Sequence, residues 1–332
     1  MLLRTFLLAV LLASPAAAEG PSYGPELQGF DYPYPVREFA FESQGERLTM
    51  RYMDVAPAKP NGKTVVLLHG KNFCAATWEG QSAALTEAGY RVVTPDQIGF
   101  CKSSKPQAYQ FSFQQLAHNT RALLQSIGVE RAIMVGHSTG GMLAARYALM
   151  FPDATQALVL VNPIGLEDWK ALGVPTPTVD QWRQREAALT GDKIKAYEQT
   201  TYYAGGWKPE YQRWVDMLAG LAQGPGHEAF ATATARLDDM IFNQPVVYEF
   251  PLIKVPTLLM IGTKDTTAIG KDFAPKDVQA RLGHYAELAP RTQAAIPGAR
   301  LIEFPDAGHA PQIQEPDKFN SALIEGLAGL VR

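Results

Sequence analysis

The chain has 332 residues, of which 46% are hydrophobic and 19% charged, and its 30 basic against 33 acidic residues give a formal charge of −3. That composition excludes a disordered chain, and without any long basic run it gives no reason to expect nucleic acid or an anionic membrane as a partner. The length suits one large α/β domain with an insertion, or two ordinary domains.

At the start of the chain, Arg4 precedes an apolar run over 5–13, and Ser14-Pro15-Ala16-Ala17-Ala18 places small residues before Glu19. This predicts a secretory signal peptide over 1–18, with an apolar part too short for the roughly 20 residues that span a bilayer. Export to a bacterial periplasm or beyond the cell is expected, with no membrane in the mature form. No cysteine lies near the cleavage site to carry a lipid anchor. Residues 19–35, rich in Pro, Gly and Tyr, read as an extended lead-in.

Runs over 36–42 and 48–54 predict an antiparallel hairpin turning at 43–47. The apolar run 64–68 reads as a parallel strand buried on both faces, ending in His69-Gly70-Lys71-Asn72-Phe73. A helix over 79–88 stopped by Gly89, a strand over 91–94 and a helix over 112–127 stopped by Gly128 follow. The loop after the second of these strands is Pro95-Asp96-Gln97-Ile98-Gly99-Phe100-Cys101.

The stretch 131–150 organises the rest. A short apolar strand over 132–135 runs into Gly136-His137-Ser138-Thr139-Gly140, and helix formers continue to Pro152. Strand, glycine-flanked serine and helix make the context of a nucleophile elbow, with Ser138 lifted over the first turn of a helix whose N–H groups favour negative charge. A further buried strand is predicted over 157–161.

The alternation of strands and helices predicts an α/β fold with a mostly parallel sheet flanked by helices. It breaks after Asn162-Pro163. Residues 166–250 show helical patterns and no convincing buried strand, and they hold Trp169, Trp182, Trp207 and Trp214. They read as a helical cap inserted into a core of 36–165 and 251–332. The alternative is an ordinary peripheral helical layer with the aromatics as its own core. Strands resume at 257–261 and 300–304, a helical stretch is expected over 278–288, and an amphipathic helix over 316–330 closes the chain.

In open α/β sheets reactive groups gather beyond the carboxyl ends of the strands. Ser138, Asp265 and His309 all follow predicted strands, in the chain order expected of nucleophile, acid and histidine. An imidazole must take the serine proton, and a carboxylate must orient that imidazole and offset its charge. Asp306, Glu303 and Asp239 compete for the acid role. The backbone N–H groups of Thr139 and Lys71 are the expected oxyanion hole, with Asn72 the competitor to Lys71. Asn72, Trp78 and Trp207 are candidate pocket residues, Trp78 alternatively anchoring the helix over 79–88.

The remaining histidines receive structural readings: His69 bracing its loop, His137 packed against the sheet, His118 and His227 structural or exposed, and His284 at most bordering the pocket. No metal-ligand spacing and no glycine-rich nucleotide loop is present, so neither metal nor cofactor is expected. Cys74 and Cys101, the only cysteines, each follow predicted neighbouring strands and are expected to pair; two free, partly buried thiols are the alternative.

With these motifs in place, the sequence resembles the α/β-hydrolase superfamily from about Val36 to the C-terminus, within its capped serine-hydrolase branch. His69-Gly70-Lys71 is similar to that family's H-G motif. Asp96, Gly99 and Ser103 match its D-x-x-G-x-G-x-S loop, with Cys101 in place of the second glycine. The resemblance implies a serine hydrolase acting on small-molecule carboxylic esters, mainly apolar or aryl-containing, through a Ser-His-Asp triad. Ser138 argues against the epoxide hydrolases and dehalogenases of that branch, which use aspartate at the elbow. Proline iminopeptidase-like aminopeptidases or amidases remain an alternative, since Glu167, Asp168, Asp238 and Asp239 could receive a free amine; lactonases and carbon–carbon bond hydrolases are less favoured. A ligand-binding protein on a hydrolase scaffold is the alternative outside enzymes. The oligomeric state is left open.

Overall fold

The computed structural model describes residues 20–330, so the signal-peptide reading of 1–18 lies outside the described residues. Eight strands form one sheet: β1 (Val36–Ser43), β2 (Glu46–Val55), β3 (Thr64–Leu68), β4 (Arg91–Pro95), β5 (Ala132–His137), β6 (Thr155–Val161), β7 (Thr257–Gly262) and β8 (Arg300–Phe304). Their order is β1-β2-β4-β3-β5-β6-β7-β8, antiparallel across the first two pairings and parallel from β4 onward. Every residue of β5 and β7 is buried, whereas the edge strand β1 is half-exposed. Strands covered on both faces have no polar side to alternate with, which is why they read as unbroken apolar runs. The β1–β2 turn is tighter than expected: Ser43 faces Glu46, and the two loop residues Gln44 and Gly45 both adopt positive φ.

Helices α1 (Glu79–Glu87), α2 (Phe113–Ser126) and α3 (Thr139–Met150) connect the first five strands and lead into β6. Ser112 caps α2 by accepting from the Gln115 N–H. Between β6 and β7 lie α4 (Val179–Ala187), α5 (Gly191–Tyr197), α6 (Gln212–Ala222) and α7 (His227–Asn243), with no strand among them. After β7 come α8 (Lys276–Gln279), α9 (Tyr285–Ala295), α10 (Pro311–Gln314) and α11 (Pro316–Leu330). The helix expected over 278–288 is in fact the end of α8, a break and the start of α9. Gly283 causes the break: its φ is +76°, and a side chain there would strike the Thr266 carbonyl.

One face of the sheet packs on α2, α3, α9 and the inserted helices, in a core that includes Leu68, Leu143, Tyr147, Trp182, Phe242 and Leu288. The other packs on α1 and α11 through Trp78, Leu85, Phe319, Leu323 and Leu327. Residues 20–35 make no strand but are not loose. Tyr23 donates its N–H to the Gly220 carbonyl on α6 (3.0 Å), and Leu27 is buried. The Tyr32 hydroxyl donates to Asp96 Oδ2 (2.6 Å) and the Lys102 ammonium to the Leu27 carbonyl (3.1 Å). The lead-in therefore ties the insertion to the loop after β4.

Cys74 and Cys101 form a disulfide with their Cα atoms 5.8 Å apart. It joins the loops after β3 and β4, and closing 27 residues is worth about 3–4 kcal/mol in the loop-entropy account. Cys101 has φ +46°, the left-handed backbone that explains why a glycine would suit this position. Asp96 holds the same region from beneath, accepting from the N–H groups of Ala75 (2.8 Å) and Lys102 (3.1 Å).

Candidate active site

Ser138 stands between β5 and α3 with φ +56° and ψ −122°, a conformation rare for a residue with a side chain. The turn leaves no room on either side. A Cβ at Gly136 would run into the Gly140 carbonyl, and one at Gly140 into the Leu68 carbonyl. The Ser138 N–H donates to the Val161 carbonyl (3.1 Å), fixing the elbow to β6. Thr139 opens α3, so its N–H has no acceptor within the helix. The Lys71 N–H, after β3, has no acceptor among the described residues. Both residues line the same cavity as Ser138 and Asn72.

Asp265 and His309 follow β7 and β8, and His309 Nδ1 donates to Asp265 Oδ2 at 2.6 Å with both side chains fully buried. Asp265 is itself held: Oδ2 accepts from Asn162 Nδ2 (3.0 Å) and Oδ1 from the Thr267 N–H (2.8 Å). The second imidazole nitrogen, Nε2, is buried and has no hydrogen-bond partner among the described residues. The competing acids lie elsewhere. Asp306 pairs with Lys264 at the surface, Asp239 accepts from Asn243, and Glu303 is exposed.

His137, read from sequence as packing, also links the serine turn to the histidine loop. Its Nε2 donates to the His309 carbonyl at 2.8 Å, and its ring lies 4.8 Å from that of His309. Burial holds its pKa well below the usual histidine value, so it is neutral. His69 behaves as expected, donating from Nδ1 to the Gly70 carbonyl (2.9 Å) and accepting at Nε2 from the Gln97 N–H (3.1 Å). His284 is exposed at the start of α9 and does not line the cavity.

The inserted helices reach the histidine loop directly. A π-helical turn, Glu198–Tyr202, follows α5, and the His309 and Ala310 N–H groups donate to its Thr201 and Tyr202 carbonyls, each at 3.2 Å. The Tyr202 ring lies 4.7 Å from the His309 ring. Glu198 is fully buried, and neither carboxylate oxygen makes a hydrogen bond of normal geometry. Burial pushes its carboxyl from 4.5 up to about 8, and the neighbouring Tyr203 hydroxyl offsets only part of that.

A proton bound more tightly in the folded state stabilises the fold below the unfolded pKa, and the benefit is lost as pH rises through the folded one. Glu198 therefore costs stability on going from about pH 4.5 to 8. Glu198→Gln is expected to flatten this slope by a few kcal/mol. Chemical denaturation at pH 5 and pH 9 checks it: the variant should gain on wild type only at the higher pH, and equal shifts at both would contradict the assignment.

The cavity holds about 660 Å³. The pocket places assigned to Trp78 and Trp207 need correction, because neither lines it. Trp78 is buried beneath the sheet, and Trp207 packs edge-on against Tyr203 and Tyr211 with the Lys195 ammonium 4.7 Å from its ring centroid. Trp169 stacks on Phe242 and Trp182 meets the same ring edge-on, between β6 and β7. Large aromatic surfaces are worth most when fully desolvated, and these rings are spent on internal packing. The cavity wall carries instead Tyr197, Tyr202, Ile164, Ile194 and Leu218, interspersed with charge.

That charge was not foreseen. The Lys71 ammonium lies 2.8 Å from Glu186 Oε1 on α4 and 3.0 Å from Asp238 Oδ2 on α7. Burial disfavours the ammonium, but the Asp238 and Glu186 carboxylates outweigh that and raise its pKa. Burial, reinforced by repulsion from Glu186, raises Asp238 in spite of Lys71. Only the pairing of a lysine beside the serine with carboxylates more than a hundred residues away creates this cluster, so no local pattern could disclose it.

Comparison with known proteins bears on the fold and the family. The chain is 29% identical over 288 residues to the Klebsiella variicola protein named "Putative carbamate hydrolase RutD", covering 85% of this chain and 98% of that protein. It is 59% identical to a Pseudomonas aeruginosa PAO1 protein whose crystal structure is described as that of a probable hydrolytic enzyme. The TM-score is 0.92, with 93% of this chain and 99% of that one covered. An Exiguobacterium antarcticum esterase shares the fold at 23% identity and a TM-score of 0.65, covering 84% and 95% of the two chains. The profile described as alpha/beta hydrolase fold matches residues 63–316, and on that match the chain is a hydrolase belonging to the α/β-hydrolase fold family.

Proposed function

We propose that the chain hydrolyses carboxylic esters of small-molecule substrates through an acyl-enzyme on Ser138. The observation that carries this reading is the buried 2.6 Å hydrogen bond from His309 Nδ1 to Asp265, which leaves Nε2 without a partner. A carboxylate on Nδ1 selects the tautomer in which Nε2 is the base. In the proposed sequence Ser138 Oγ attacks the ester carbonyl while Nε2 takes its proton, and the N–H groups of Thr139 and Lys71 stabilise the oxyanion. The imidazolium returns that proton to the leaving alcohol. Water, deprotonated in turn by Nε2, then releases the acid and restores the Ser138 hydroxyl. Residues 166–250 act as a cap over a core of 36–165 and 251–332 and supply part of the cavity wall, with Arg185, Ile194, Tyr197 and Tyr202 among the residues they contribute.

The aminopeptidase reading loses support, because it needs carboxylates free to take an amine. Glu167 accepts from the Gly283 N–H, Asp168 from Tyr248, and Asp239 from Asn243, while Asp238 is engaged with Lys71. The Klebsiella relative's name adds carbamates to the substrates worth testing, since they undergo the same acyl transfer. A fluorophosphonate should label Ser138 stoichiometrically by peptide mass spectrometry, with turnover of acyl esters exceeding that of carbamates, lactones and prolyl arylamides. Failure to label Ser138 would refute the mechanism, and a prolyl arylamide turned over faster than every ester would replace the substrate class.

Export is part of the same proposal, supported by the arginine and short apolar run ahead of Ala16-Ala17-Ala18 and by the Cys74–Cys101 disulfide. Expressed with residues 1–18 in place in a Gram-negative host, the protein should be recovered from the periplasm with Glu19 as its first residue. Recovery in the cytoplasm with Met1 retained would dismiss this.

A further inference from the structure

Arg185 stands out among the groups lining the cavity. It projects from α4 with its guanidinium carbon 5.3 Å from the Trp182 ring centroid, a cation–π contact. None of its N–H groups makes a hydrogen bond among the described residues. Asp272 Oδ1 forms an ion pair with its Nη1 at 3.5 Å and Glu186 Oε1 lies 3.9 Å from its Nε, Asp238 acts on it electrostatically as well, and Nη1 is buried without a hydrogen bond. The Arg185 side chain keeps 30% of its surface accessible where it lines the cavity, and a guanidinium fork matches a planar carboxylate.

Two other cations line the same cavity with no carboxylate oxygen within ion-pairing distance among the described residues, Glu167 acting on Lys271 only from farther away. Lys193 donates only to the Ala188 carbonyl (2.8 Å) and Lys271 only to the Leu282 carbonyl (3.0 Å). Lys193 belongs to α5 in the insertion and Lys271 to the segment after β7, so positive charge comes from two separate parts of the chain. Glu186 and Asp238 are held by Lys71, and Asp272 offsets part of the Arg185 charge, so the uncompensated positive charge comes chiefly from Lys193 and Lys271.

We propose that this cavity selects esters that carry a second, free carboxylate, and that Arg185, assisted by Lys193 and Lys271, is the group that binds it. The proposal rests on the ester-hydrolase reading and narrows its substrate class from small-molecule esters in general to half-esters of dicarboxylic acids, or esters of carboxylate-bearing alcohols. The aliphatic wall would contact the chain between the two carbonyl carbons, while Arg185 binds the remote charge.

The test compares mono-(p-nitrophenyl) glutarate with p-nitrophenyl pentanoate, which has the same chain length but no charge. Wild type should favour the glutarate ester at least tenfold in kcat/KM, with the preference shrinking as salt is raised. Arg185→Met should bring the ratio of the two esters close to one, chiefly by raising KM for the glutarate ester about ten- to a hundredfold. Arg185→Lys should keep part of the preference, and free glutarate should inhibit wild type competitively. A wild-type ratio near one, or a ratio unchanged in folded Arg185→Met, overturns the proposal while leaving ester hydrolysis intact. No turnover of either ester, with Ser138 unlabelled by the fluorophosphonate, overturns both readings together.

Discussion

Replacing Ser138 with alanine is expected to lower ester turnover by about 10⁵- to 10⁶-fold without unfolding the protein. The reason lies in what remains. Without Oγ no acyl-enzyme forms, and water must attack with help only from His309 and from N–H groups preset for the oxyanion, which sustain a weak residual rate. The alanine side chain keeps the positive φ strain of the elbow but adds no bulk between Gly136 and Gly140, where a larger residue would find carbonyl oxygens in its way. Folding should be judged by circular dichroism and turnover with a chromogenic ester. Turnover within tenfold of wild type would show that another nucleophile does the chemistry.

Asp265→Asn is expected to lower kcat about 10⁴-fold with little change in KM. Asp265 accepts three hydrogen bonds, from His309, Asn162 and the Thr267 N–H. An asparagine amide can keep the bond to His309 only by accepting through its oxygen, which must also satisfy Asn162, or by donating through its nitrogen. Donation would force the imidazole proton onto Nε2, the nitrogen that has to accept from Ser138. The electrostatic support for the imidazolium is lost as well, so both the tautomer and the transition state suffer. A pH–rate profile separates these effects from misfolding: activity should recover partly at high pH, where hydroxide replaces general-base assistance. A kcat unchanged by the substitution would return the acid role to a competitor such as Asp306.

How far this arrangement was legible in the sequence depends on the range of the interaction. Ser138, Asp265 and His309 could be marked because each follows a short apolar run, and the ends of such strands converge whatever the intervening chain does. Asn162 carried the same signal, a polar residue directly after a buried strand, and was passed over as the point where the alternation stops. The cysteine pair was readable because β3 and β4 are neighbours, and the structure joins them. Trp78 and Trp207 misled because nearness in sequence to a reactive loop, or membership of an aromatic-rich segment, does not say which way a ring points. The Lys71 cluster and the placing of Arg185 on the cavity depend on how the inserted helices dock, and no periodicity encodes that. Gly283 shows the smaller-scale limit: a single left-handed residue divides what hydrophobic spacing presents as one helix.

The main-chain bonds from His309 and Ala310 to Thr201 and Tyr202 make the roof and the base one mechanical unit. Swinging the whole roof away would strip the imidazole loop of its support at the moment a new molecule arrives. On the far side the lead-in and the disulfide brace the molecule as well. A molecule that enters the cavity is therefore expected to do so with the bonds from His309 and Ala310 intact.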